Sequence, residues 1–116
     1  MRNEELSRVE LLKSVSHAKN WNPDGEGKCF EGSLEGISIK VGTCVNPKDK
    51  EDWVYYISAQ CGATPLGFTY SSPHYDYQNS IALNEAYAIA KGKAQESQSE
   101  ALSKAREILN GFSTGR

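Results

Sequence analysis

Two histidines, three cysteines and a few clustered carboxylates are the side chains of this sequence that could do chemistry. A cysteine nucleophile needs an imidazole beside it and a third group that orients the imidazole. Cys29, Cys44 and Cys61 are widely spaced, and neither His17 nor His74 is local to any of them. A zinc site is normally seeded by two ligands from one turn, and no CxxC pair exists to seed it. Cysteines in strand-like segments read as small core residues. The glycines at 25, 27, 32 and 36 imitate a phosphate-binding loop in composition only, because no GK[ST] or GxGxxG is present.

Paired carboxylates do acid and base work when burial separates their pKa values. Glu31 with Glu35, and Asp49 with Glu51 and Asp52, are the candidate groups. The first pair sits among glycine turns and the second alternates with Lys48 and Lys50, so both read as solvated loops. No catalytic residue, metal ligand or cofactor is therefore expected, and the chain reads as a non-enzyme.

Aromatic residues carry more information. In HYDYQNS, residues 74–80, His74, Tyr75, Asp76 and Tyr77 follow Pro73, with Tyr70 just upstream. Tyrosine combines a large rigid contact area with a hydrogen-bonding tip, which suits recognition surfaces. The plainer reading makes Tyr75 or Tyr77 cover a sheet edge while Asn79 or Ser80 caps the next element. A second concentration, Trp53, Tyr55 and Tyr56 with Phe68 and Tyr70, exceeds what one helix-covered sheet face needs. Such a surplus can stack nucleobases, although the interleaved lysines and arginines of nucleic-acid platforms are sparse here.

The totals set limits on these readings. A chain of 116 residues can bury one core, so residues 1–116 are expected to form a single domain. The net charge of -2 lacks the basic excess of a dedicated nucleic-acid binder. No apolar run is long enough for a membrane span, and the charged N-terminus is unlike a signal peptide. A cytoplasmic location with no membrane partner is the expectation.

The elements that would position these residues follow from periodicity. Residues 3–19 predict a helix capped by Asn3, with Leu11, Leu12, Val15 and Ala18 as its apolar stripe. NPDGEG, residues 22–27, reads as a turn. A short strand near Cys29 and Phe30 precedes a clearer one over 37–44, where Ile37, Ile39 and Val41 alternate with polar residues. NPKDKED, residues 46–52, reads as a charged hairpin tip. The strand at 53–61 places Trp53, Tyr55 and Ile57 on one face and Val54, Tyr56 and Ser58 on the other, and a further strand covers 67–72. Residues 97–111 predict a separate core helix, opened by a Ser97/Glu100 capping box and closed by Gly111. Residues 81–94 allow a helix ending near Gly92 or a strand with a small-residue face, composition favouring the helix.

The fold expected is α+β: an N-terminal helix, an antiparallel sheet of three to four strands, and a C-terminal helix packed on one face. The function expected is a small non-enzymatic protein-binding module. It would be an inhibitor or adaptor of the kind that phages and mobile elements direct at host machinery. Its binding residues would be Trp53, Tyr55, Tyr56, Tyr70, His74, Tyr75, Asp76 and Tyr77. The alternative is a nucleotide-like small-molecule pocket, placed in a homodimer interface, with Lys91, Lys93 and Arg106 as anion contacts. Nucleic acid ranks below both.

Overall fold

The computed structural model describes residues 5–24 and 28–114, the last two by backbone alone. Its first helix, α1 (Arg8–His17), begins at a reciprocal capping box. The Ser7 hydroxyl accepts the Glu10 N–H at 3.2 Å, and the Glu10 carboxylate accepts the Ser7 N–H at 2.9 Å. Those two bonds satisfy orphan amides of the first turn, so the helix starts four residues later than residue 4 would suggest. The Asn3 cap lies outside the described residues. Leu6, assigned to the helix by periodicity, instead donates its N–H to the Leu66 carbonyl at 2.8 Å. Leu11 and Val15 are fully buried, whereas Val9 faces outward.

The segment read as a turn after α1 is in part a strand, β1 (Lys19–Asp24). Asn20 takes a left-handed conformation at φ 59°, and the pairing register shifts between Lys19 and Asn22. Pro23 is tolerated because β1 is an edge strand. Trp21 fixes the strand: its ring is buried and its indole N–H donates to the Ala18 carbonyl at 3.1 Å. Gly32 makes room for that ring, since a Cβ there would lie 2.6 Å from Trp21 Cε2. Residues 25–27 of the predicted turn lie outside the described set.

Four further strands follow: β2 (Cys29–Leu34), β3 (Ile37–Asn46), β4 (Asp49–Cys61) and β5 (Thr64–Ser71). The five strands form one antiparallel meander in chain order, one strand more than expected. Residues 31–33 are ordinary β2 ladder opposite β3. The β2–β3 hairpin turns at Glu35 and Gly36, with φ values of 49° and 90°.

One sheet face carries Phe30, Ile39, Val41, Ile57 and Ala59, and both helices cover it. The other face places Tyr56 opposite Tyr70 and Ser58 opposite Phe68. Neither described helix packs there, and Phe68 stays exposed.

After the 73–76 corner the described residues form one helix, α2 (Tyr77–Thr114), 38 residues long. The helical reading of 81–94 holds, but Gly92 does not end it, Ser97 does not start another and Gly111 does not stop it. A glycine costs about 1 kcal/mol within a helix, which an Ala-rich run absorbs. Leu83, Ala86, Ala90 and Ala94 pack into the core. Ala86, Ala90 and Ala94 are thus covered by this chain's own sheet and α1. The helix beyond Ser97 is exposed on every side through Phe112 and contributes nothing to the core, contrary to the expectation for 97–111. The molecule accordingly measures 64 × 34 × 20 Å.

Candidate functional site

Where the β3–β4 hairpin meets the corner between β5 and α2, an open cleft of about 460 Å³ is lined by Asn46, Lys48, Asp49, Tyr70, Ser72, Tyr75 and Asp76 among others. It is built upward from Asp52. That residue was read as part of a solvated hairpin tip, yet it is 4% exposed. Asp52 Oδ2 accepts the Ser72 hydroxyl and the Asn46 side-chain amide, the latter at 3.1 Å. The Ser72 and Asn46 bonds hold the Asp52 carboxyl below the usual carboxylate range, against the opposing effect of desolvation. Among the described residues its Oδ1 has no hydrogen-bond partner, and His74 Nε2 lies 3.8 Å from it.

These bonds pin the corner to the hairpin. Ser72 is the hinge of the attachment, because its hydroxyl also accepts the His74 N–H at 3.1 Å and its carbonyl accepts the Asp76 N–H at 2.9 Å. The Asp76 carboxylate in turn accepts the Asn79 side-chain amide at 2.8 Å, and Arg8 approaches it at 3.9 Å. Four parts of the chain are thereby locked together: the hairpin end, the end of β5, the first turn of α2, and α1.

The tyrosines sit on this base. Tyr75 is 72% exposed and Tyr77 69%, so neither is used to cover the sheet edge. Tyr75 is nonetheless oriented, because its hydroxyl donates to Asp49 Oδ2 at 3.1 Å. That bond and the negative charge of Asp49 push the Tyr75 phenol above its ordinary value. Tyr70 closes the opposite wall and opens an aromatic ladder along the uncovered sheet face. Its ring lies 5.7 Å from Phe68, and Phe68 lies 5.9 Å from Tyr56, nearly parallel to it.

The structure does not gather all the predicted residues here. Tyr55 points into the helix-covered side and packs on Tyr87 at 5.9 Å. Trp53, half exposed near the hairpin end, has the Lys28 ammonium 5.9 Å from its ring. Lys91, Lys93 and Arg106 are strung along α2 and none lines the cleft. Lys93 instead donates to the Ser16 carbonyl at 2.9 Å, tying α2 to the end of α1. Asp52, Ser72 and Asn46 were missed as site-building residues. Asp52 and Val54 are buried out of phase with Ile57 and Ala59, so the alternation of β4 does not mark them.

The arrangement is poorly suited to covalent catalysis. The Ser72 hydroxyl gives its proton to a carboxylate, so His74 is not placed as its base. Burial pushes the Cys44 thiol up, away from thiolate. Among the described residues no group of three or more acidic, cysteine or histidine side chains is placed to hold a metal. No described helix is long and apolar enough to cross a membrane. No protein-family model matches the chain, and no curated protein or solved structure matches it significantly.

Proposed function

We propose that the chain is a small non-enzymatic protein-binding module, of the inhibitor or adaptor kind, that meets its partner at the tyrosine cleft and the aromatic ladder beside it. The observation that carries the reading is Tyr75: solvent-exposed, yet held by Asp49 on a corner anchored through buried Asp52. An aromatic side chain fixed before binding loses little rotamer freedom when a partner arrives, so more of its contact energy appears as affinity. Tyr70, Phe68 and Tyr56 extend the apolar contact, while Asp49 and Asp76 supply acceptors for donors on the partner. Blocking a host machine, in the manner of a phage or mobile-element protein, is the inhibitor form of this proposal.

The nucleotide reading draws less support. Phosphate would meet the carboxylates of Asp49 and Asp76, and among the described residues lining the cleft Lys48 alone is basic.

Affinity capture with wild type and with a Tyr75→Ala/Asp49→Asn variant tests the proposal. Both positions are at the surface, so the variant should fold. Wild type is expected to retain a discrete partner that the variant loses. A partner held equally by both would move the site elsewhere, and the absence of any retained protein would count against a binding module.

A further inference from the structure

The apolar stripe of α2 does not end where the sheet ends. Leu83, Ala86, Ala90 and Ala94 bury one helix face against the body. Ala101 and Ile108 follow Ala94 at intervals of seven residues, with Ala105 and Phe112 beside that line and Leu102 and Leu109 farther round on the same flank. At about 100° per residue Ala101, Ala105, Ile108 and Phe112 stay within about 40° of Ala94 and so continue the buried face, and Leu102 and Leu109 widen it on one side. Every residue of the helix from Gln98 to Phe112 is exposed. Leu102 is 53% exposed, Ile108 54%, Leu109 63% and Phe112 77%.

We infer that this distal stripe is the contact surface between two copies of the chain, paired as antiparallel helices. The direction follows from the continuity of the face. In a parallel pair each proximal half would need to lie where its partner's sheet already packs. In an antiparallel pair the two bodies sit at opposite ends and only the distal halves overlap. A two-fold axis near Glu107 then sets Leu102 against the partner's Phe112 and Ala105 against the partner's Leu109, with Ile108 beside the axis. Large residues meet small ones at Ala105, as interdigitated packing requires. An isologous contact of this kind is closed, so it stops at two copies.

The area sets the strength. Two facing stripes of this length bury on the order of 1,000 Å² in total, at the lower bound for specific association. The dimer is therefore concentration-dependent, and Glu96, Glu100 and Glu107 remain on the outer face in solvent. The distal turns also gain a reason to stay helical, since an unsupported segment of this length is marginal in water.

Sedimentation equilibrium of the full chain across the micromolar range is the test. The mass is expected to rise from 12.8 kDa toward twice that value. An Ile108→Asp/Leu109→Asp variant should remain at the lower mass throughout. Both positions are exposed in the single chain, so its circular dichroism should stay helical and its thermal midpoint at low concentration should stay near wild type. A wild-type chain that is monomeric at every concentration overturns the inference. So does a dimer that survives the double variant but is dispersed by Phe68→Asp, which would put the contact on the open sheet face.

Discussion

The two halves of α2 should respond oppositely to the same substitution. Leu83 is fully buried between sheet and helix, whereas Leu102 lies on the uncovered distal half. Leu→Ala removes three heavy-atom groups, and at about 0.8 kcal/mol per buried methylene the transfer loss at Leu83 is roughly 2.4 kcal/mol. The cavity left behind raises the total into the range of about 3–5 kcal/mol. At Leu102 little is lost, because the side chain is already half in water, and a change within about 0.5 kcal/mol is expected. Urea unfolding followed by circular dichroism, at concentrations low enough to keep the chain monomeric, reads the contrast. With a slope of about 1–2 kcal/mol per molar, Leu83→Ala should move the midpoint by roughly 1.5 M or more, and Leu102→Ala should scarcely move it. Equal shifts at both positions would mean that the distal helix is docked within the single chain, and the account of an unpartnered stripe would fail.

Other expectations concern the site and its supports. Gly32→Ala drives a methyl group into the Trp21 ring and should cost about 1–3 kcal/mol, with a change in indole fluorescence. The depressed Asp52 pKa contributes stability that is fully present above the unfolded carboxylate value of about 3.9 and is lost as pH falls through the folded value. Asp52→Asn should therefore flatten the acid limb of a stability-versus-pH curve; an unchanged limb would put acid sensitivity elsewhere. The raised Tyr75 phenol should move back toward the ordinary tyrosine value in Asp49→Asn, as followed by ring-carbon NMR against pH. No movement would show that Asp49 does not orient the ring.

Much of this fold can be read in the residue pattern, and the failures have specific physical sources. β3, β4 and β5 announce themselves through alternation, because a sheet with one covered face must place every second side chain inward. β1 is hidden: Asn20, Asn22, Pro23 and Asp24 have turn chemistry, and only tertiary burial of Trp21 makes an edge strand of them. Local signals also misplace the ends of both helices. Ser7 and Glu10 form a capping box that spacing alone did not single out, while Ser97 and Glu100 have the spacing without the cap, lying inside a helix already nucleated from Tyr77. The distal stripe looks like core because an apolar helix face has the same pattern whether its partner is the same chain or another. At the site, Tyr70, Tyr75 and Asp76 are legible as an aromatic and acidic cluster. Asp52 is not, because its burial depends on Asn46 across the hairpin and on Ser72 arriving from beyond β5.

Hydrogen exchange of the chain alone and with its captured partner tests whether the tyrosine corner is the binding surface. New protection is expected at residues 46–49 and 68–77, with the distal half of α2 unaffected by that partner. Protection confined to residues 98–112, with the tyrosine corner exchanging as before, would contradict it.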